Sequence, residues 1–212
     1  MTKDELYRLS ELGVATVYEA AGRAGLIDAP LLQLLPGSRA AGPARTVRCG
    51  PDDNLMVHAV IEHIQPGEVL VLTMPEPAPV ALVGELLVTQ IKVREAAAIL
   101  VDGAVRDAEA LVKLGLPVWT RFVRARGATK TKIGELNVTV SVGGAKIAPA
   151  DIMVLDADGA VCVPRESAGE ILKAAEARSS REARLRERLA AGEMSYDLHG
   201  LRDVVEAYRR QS

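Results

Sequence analysis

Aromatic side chains are nearly missing from this chain. Trp119 and Phe122 are its only Trp and Phe, and with four tyrosines they make up 3% of 212 residues. A core of ordinary size must then be assembled from Ala, Val, Leu and Ile, which the 49% apolar content allows. An excess of charge of either sign is also lacking, since 26 Lys and Arg nearly balance 28 Asp and Glu for a formal net charge of -2. No basic stripe interleaved with aromatics occurs, which argues against nucleic acid as a main partner. The one arginine-dense stretch, 178–188, is interrupted by Glu182 and Glu187 and reads as a solvated or subunit-bridging helix. No run approaches the roughly 20 apolar residues of a membrane span, so no membrane partner is expected. The first residues read as an acidic amphipathic helix and not as a signal peptide. Only Cys49 and Cys162 carry thiols. Both lie in strand-like apolar settings, where free Cys behaves as a small hydrophobe, and a reducing cytoplasm is expected. His58 and His63 are five apart and His199 is in the tail, so no zinc signature forms. A nucleophile elbow and a phosphate loop are lacking too.

What is present is an alternation of elements. Residues 4–12 and 14–24 read as two short helices broken by Gly13, with Thr16 and Glu19 as a capping box for the second. A strand is expected over 44–49. Asp52-Asp53-Asn54 caps a helix over 55–64, which Pro66-Gly67 ends. Residues 69–73 form a buried strand, and 74–80, with three prolines, an extended loop. A helix over 82–95 places Leu82, Leu86 and Val93 on one side, with Leu87 and Ile91 alongside. A second buried strand over 97–101 ends at Asp102-Gly103. A helix from Asp107 to Leu114 is closed by Gly115, and a strand follows over 116–119. That alternation implies βαβ units. From 120 to 164 the pattern turns to short antiparallel or mixed strands, with Gly143-Gly144 as a hairpin turn. A long C-terminal helix runs to about 191, Gly192 stops it, and an irregular tail follows.

Two junctions carry chemistry. At Gly84-Glu85-Leu86-Leu87 a loop enters a helix, where the first amides lack internal partners and carry partial positive charge. Gly84 removes a side chain that would block a ligand, so a small carboxylate suits the place. The same residues are also readable as a turn glycine and a helix-start acid. At Asp102-Gly103-Ala104-Val105-Arg106-Asp107 a buried strand gives way to a helix, at the strand edge where α/β sheets bind ligands. Asp107 is a hard oxygen ligand for magnesium or manganese, and Arg106 forks onto a carboxylate or carbonyl oxygen. As an isolated pair they would read as an N-cap and a surface charge, and it is the strand and Gly turn ahead of them that bring the ligand-binding reading level with that one. Glu182 has a plain reading as an ion pair with Arg178 or Arg186. Neither Lys92 nor Lys146 offers the desolvated amine that Schiff-base chemistry needs.

Together, these two motifs and Asp156-Ala157-Asp158-Gly159-Ala160-Val161 resemble the class II pyruvate aldolases for 4-hydroxy-4-methyl-2-oxoglutarate and 4-carboxy-4-hydroxy-2-oxoadipate, which are homologous to the regulator of RNase E activity. The likeness covers nearly the whole chain, from Gly13-Val14-Ala15-Thr16 through Gly42-Pro43-Ala44-Arg45 and Pro66-Gly67-Glu68 to Ala190-Ala191-Gly192-Glu193. One departure is Pro149-Ala150-Asp151, where the family's pattern has Pro-Gly-Asp. The resemblance implies an α/β fold, an α/β/β sandwich of the swivelling-domain type with a long C-terminal helix. Residues 1–164 would be the catalytic domain, and 165–212 a helical extension contacting a neighbouring subunit of a homotrimer or hexamer. It implies a divalent metal, magnesium or manganese, on Asp107, and Glu182 of a neighbouring subunit reaching it through water. Gly84, Leu86, Leu87 and Arg106 would bind the oxo-acid substrate, with Arg106 steadying the enolate and Glu85 positioning the water that does proton transfer. Retro-aldol cleavage to pyruvate, with oxaloacetate decarboxylation as a side activity, would follow. A non-catalytic, protein-binding regulator of ribonuclease is the alternative the same likeness leaves open.

Overall fold

The structure is a computed structural model describing residues 1–211, with backbone only at 211. In chain order the elements are α1 (Lys3–Ala20), β1 (Leu32–Gln33), β2 (Ala40–Arg48), α2 (Leu55–Val60, extended by a 3-10 turn over Ile61–His63), β3 (Val69–Thr73), β4 (Ala81–Val83), α3 (Glu85–Val93), β5 (Ala98–Val105), α4 (Ala108–Leu114), β6 (Val118–Val123), β7 (Glu135–Leu136), β8 (Val140–Val142), β9 (Ala145–Ile147), β10 (Ile152–Asp156), β11 (Gly159–Val163), α5 (Ala168–Ala190), α6 (Ser195–Leu198) and α7 (Leu201–Gln211). Two compact units divide between Ala175 and Glu176.

The first unit is a mixed α/β structure around a sheet in the order β1-β6-β5-β3-β2-β10-β11, with β4 added at β5 and β7 at β2. Its centre, β2, β3, β5 and β6, is parallel, and β10 and β11 are antiparallel. Parallel neighbours need crossover connections, which α2, α3 and α4 supply. Both faces are covered, so the strands read as continuous apolar runs. Alternate residues enter different cores. Leu70, Leu72, Ile99 and Val101 pack with α2 and α3 residues such as Val57, Val88 and Ile91. Val69, Val71, Ala98 and Leu100 face the opposite way, toward Trp119, the β8–β9 hairpin, Met153 and Leu155. Ile152 and Val154 turn to a third cluster with Leu9, Val14 and Val17 of α1 and Ala168, Leu172 and Ala175 of α5. The start of α5 therefore belongs to the first unit.

Several local expectations are corrected by tertiary contacts. Gly13 does interrupt α1, with φ 79 and ψ 165. The capping box, however, is Thr2 with Glu5, and the restart after Gly13 is capped from afar, Val14 N–H donating to Asp156 Oδ2 at 2.9 Å. Leu82 and Val83 are strand, not helix, because β4 pairs with β5 through Ala81↔Ala104 and Val83↔Val105. Helix α3 therefore starts at Glu85 and buries Leu87, Val88 and Ile91. Leu86 and Val93, expected on its inner side, are 80% and 76% exposed. Strand β5 does not stop at Asp102-Gly103. The register against β6 shifts between Val101 and Ala104, so a turn-like dipeptide is absorbed as a bulge and the strand continues to Val105. Asp102 is buried there, 2.5 Å from Arg121 Nε. Burial raises its pKa, and Arg121 only partly offsets that.

The second unit holds the rest of α5 and the segment after Gly192, which is helical as α6 and α7 and not an irregular tail. Among the described residues no helix is long and apolar enough to cross a membrane. Cys49 and Cys162 are buried free thiols, each pushed up to about 12, by burial first and then by Asp53 and Asp151 respectively.

Ala150, which departs from the family pattern, sits at φ 68. The left-handed region costs an L residue roughly 1–2 kcal/mol, and glycine avoids that at some loss of unfolded-chain entropy. Ala150→Gly should raise stability by about 0.5–1 kcal/mol, which for a chain of this size moves the melting midpoint by about 1–4 °C. A lowered midpoint in a thermal melt would contradict this.

Candidate active site

The loop ahead of α3 and the β5–α4 junction meet because β4 lies in the sheet beside β5. Arg106 N–H donates to Val83 O at 3.1 Å, which locks Gly84 against Arg106 and Asp107. A cleft of about 170 Å³ opens there, lined by Gly84, Leu86, Leu87, Arg106 and Asp107 from these two motifs. That is below the roughly 300 Å³ where drug-sized ligands begin, and suits a small acid.

Asp107 caps α4 with φ 59 and ψ 38, a left-handed conformation that Asp tolerates better than most residues. Its Oδ2 accepts from Glu85 N–H at 3.1 Å and lies 3.6 Å from Arg106 Nε. Its Oδ1 takes no hydrogen bond from the described residues. Arg106 lies in a slot between two glycines. A Cβ on Gly84 would stand 2.5 Å from Asp107 Oδ2 and 3.0 Å from Arg106 Nε, and one on Gly127 would stand 2.9 Å from Arg106 Nη1. Gly84 has φ -143, which any residue adopts, so close approach and not backbone freedom requires glycine here. The first internal bond of α3 is Val88 N–H to Gly84 O. The N–H groups of Leu86 and Leu87 have no partner among the described residues, leaving two donors at the positive end of the helix dipole.

Of the other candidates, Glu85 contributes its N–H to Asp107, while its side chain is exposed and is not part of the cleft lining. Glu182 is in the second unit, paired with Arg178 at 2.8 Å within its own helix. Lys92 is exposed and donates to Leu114 O.

The cleft also holds Asn54, His58, Ala128 and Lys130, none of which the motifs flagged. Asn54 is 7% exposed. Its Nδ2 donates to Leu82 O at 2.9 Å, and its Oδ1 is buried without a partner among the described residues. His58 is held below the usual imidazole value, by partial burial first and then by the Lys130 charge. The only sequence trace of this wall was Asp52-Asp53-Asn54, which read as a helix cap. Asp53 does receive Leu55 N–H at 2.8 Å, but it does more. Its Oδ2 accepts from Thr129 Oγ1 at 2.6 Å, Thr131 N–H at 2.7 Å and Lys132 N–H at 3.1 Å. Burial would raise this carboxyl's pKa, yet these bonds bring it well below the ordinary carboxylate range. Its stabilising effect is therefore present above the unfolded value of about 3.9 and is lost only as pH falls through the lower folded value.

The described residues contain no group of three or more His, Cys, Asp or Glu side chains able to hold a metal. A metal here would rest on one carboxylate. Magnesium is commonly held that way, keeping several waters and taking the rest of its shell from substrate. The uncommitted Oδ1 of Asp107 and the space kept by Gly84 fit such an ion.

A family model described as RraA-like, Aldolase/RraA, matches residues 14–162. A Halalkalibacterium halodurans protein provisionally named 4-hydroxy-4-methyl-2-oxoglutarate aldolase is 36% identical over 146 residues, covering 68% of this chain and 70% of that protein. Among solved structures, Streptomyces coelicolor RraAS2, described as an unusual member of the RNase ES inhibitor RraA family, is 30% identical with a TM-score of 0.78, over 88% of this chain and 97% of that one. The RNA-processing inhibitor RraA from Thermus thermophilis is 28% identical with a TM-score of 0.59, over 63% and 81% respectively.

Proposed function

The chain belongs to the Aldolase/RraA family, and from that premise we propose that it is a divalent-metal-dependent aldolase that releases pyruvate from 4-carboxy-4-hydroxy-2-oxoadipate and 4-hydroxy-4-methyl-2-oxoglutarate. The observation that carries this reading is the Gly84–Arg106–Asp107 cradle beside two unpaired helix amides. A regulator that only binds a protein has no need of a guanidinium and a carboxylate aimed together into a cleft behind a glycine.

The reaction removes the proton of the C4 hydroxyl, breaks the C3–C4 bond and leaves the electron pair as pyruvate enolate, which is then protonated at C3. The other fragment is oxaloacetate or a second pyruvate. Leu86 and Leu87 N–H groups hold the carboxylate of the pyruvyl half. Arg106 supplies preorganised positive charge where the enolate oxygen develops. Asp107 would hold a magnesium or manganese ion, which when bound adds Lewis-acid stabilisation of the same charge. Glu85, exposed at the first residue of α3, orders the water that accepts the hydroxyl proton, and another water protonates the enolate. The same groups would stabilise the enolate formed when oxaloacetate loses carbon dioxide, so decarboxylation is the expected side activity. In this reading residues 165–212 contact a neighbouring subunit of a homotrimer or hexamer, and Glu182 reaches that subunit's site through water. The exposed Leu201, Val204 and Tyr208 of α7 support an apolar contact of that kind.

Pyruvate release from the two substrates should require added magnesium or manganese and vanish with EDTA. Borohydride with pyruvate should trap no adduct, since Lys130, the lysine of the cleft, is solvent-exposed and lacks the desolvation a Schiff base needs. Undiminished turnover after exhaustive chelation, or a covalent adduct, would remove the metal mechanism. No turnover at all, with binding to a ribonuclease partner, would return the regulator reading.

A further inference from the structure

The cleft has two walls, and only one is accounted for by the pyruvyl half of the substrate. The second wall is built from α2 and the segment 126–132, which contribute Asn54 and His58, and Ala128 and Lys130. That segment has no regular secondary structure of its own. It is pinned to the body of the fold by Ala81 N–H to Arg126 O, Asn54 N–H to Thr129 O and Thr129 N–H to Asp52 O. Besides Lys132 Nζ to Pro51 O at 2.7 Å and Thr129 Oγ1 to Asp52 O at 3.3 Å, three of its remaining ties converge on one side chain. Asp53, 0% exposed, receives Thr129 Oγ1, Thr131 N–H and Lys132 N–H on a single carboxylate oxygen, while the other holds the start of α2 through Leu55 N–H. One buried acid thus joins the two elements that face each other in this wall. It also acts on the first wall, because Gly127 of the same segment leaves the space that Arg106 Nη1 occupies.

Lys130 stands between two of these bonded residues, Thr129 and Thr131, so its backbone position is set by Asp53 although its own side chain makes no ion pair with the described residues. Its charge is felt at His58, which places it inside the cleft's field. With the first carboxylate of an oxo acid taken by the α3 amides and Arg106, Lys130 is the cation left in the cleft lining. A substrate with a second carboxylate, beyond the bond that breaks, would satisfy it.

We propose that Asp53 is a positioning residue of this site, latching the 127–132 segment so that Lys130 is held where it meets the second carboxylate of the substrate. This rests on the aldolase reading for the identity of the substrate, but the latch itself does not. Backbone geometry alone would not demand an ionised acid at this position, since a helix cap needs one acceptor and Asp53 serves four donors. A charged acceptor with several donors is also the arrangement that loses most when replaced by an amide, whose NH2 would face N–H groups.

The test uses full-length Asp53→Asn, and Thr129→Val with Thr129→Ser as the conservative partner. Thr129 is exposed, so its variants keep the question open should Asp53→Asn fail to fold. Two reactions are followed with magnesium: cleavage of 4-hydroxy-4-methyl-2-oxoglutarate, which needs the second carboxylate site, and deuterium exchange of the pyruvate methyl group, which does not. Amide hydrogen exchange at Thr131 and Lys132 reads the latch directly. Asp53→Asn should raise KM for cleavage about tenfold or more, with a loss in kcat/KM at least ten times the loss in methyl exchange. Thr129→Val should shift KM in the same direction by a smaller factor, and Thr129→Ser should restore it. Amides 131 and 132 should exchange at least tenfold faster in Asp53→Asn and Thr129→Val. Equal losses in both reactions would make Asp53 a folding residue and overturn the proposal, as would unchanged protection of the two amides. Should the wild-type protein neither cleave the substrate nor exchange the methyl group, the aldolase reading has failed. The latch is then decided by amide protection in Thr129→Val, and unchanged protection overturns it.

Discussion

Asp107→Asn is expected to lower metal-dependent pyruvate release by about 10³-fold, because losing the sole anionic anchor removes several kcal/mol of charge stabilisation. The substitution is chosen to change charge and little else. Asn tolerates the left-handed backbone at φ 59 nearly as well as Asp, and its carbonyl can still accept the Glu85 N–H now bonded at 3.1 Å. The fold should melt at an unchanged temperature, and manganese affinity, measured by calorimetry or spin resonance, should fall with activity. Gly84→Ala should reproduce this loss by another route. Its methyl group would lie 2.5 Å from Asp107 Oδ2 and drive the carboxylate aside. Asp107 is 44% exposed and can swing into solvent, so stability should change little. Turnover within tenfold of wild type for either variant would show that Asp107 does not anchor the reaction.

Arg106→Ala should cost about 10²–10³ in kcat, the range seen when one preorganised donor to a developing anion is removed. Arg106→Lys should recover only part of it. The Arg106 side chain runs between Gly84 and Gly127, and an ammonium on a flexible stem neither fills that slot nor presents a planar fork. The loss should appear in kcat more than in KM, because the α3 amides still hold the carboxylate while the charge that grows in the transition state goes unmet. A pure KM effect would make Arg106 a binding residue only.

The parallel strands and their helices were largely legible, because a strand buried on both faces must be apolar throughout and Gly or Pro must punctuate it. Val69–Thr73 and the Gly115 stop of α4 are of this kind. The two motifs that build the first wall of the cleft were legible for a similar reason, since free amides at a helix start and an acid after a strand are local features. The apolar face of α3 differs from the local pattern because Leu82 and Val83 belong to β4, whose strand state exists only through pairing with β5. Asp102-Gly103 favours a turn locally, but the sheet absorbs the dipeptide as a bulge.

By itself, then, the order of residues determined the class of fold, the alternation of its central strands and helices, and the two motifs at Gly84-Glu85 and Arg106-Asp107 taken singly. Each of these depends on neighbours a few positions apart, whereas the meeting of the two motifs depends on β4 lying beside β5. Only the tertiary structure decided that Gly127, Lys130, Asn54 and His58 share that cleft, and that Asp53 ties their wall together across 76 to 79 residues of chain. Contacts of that length leave no periodicity or spacing in a single chain, because they are set by which strands lie side by side.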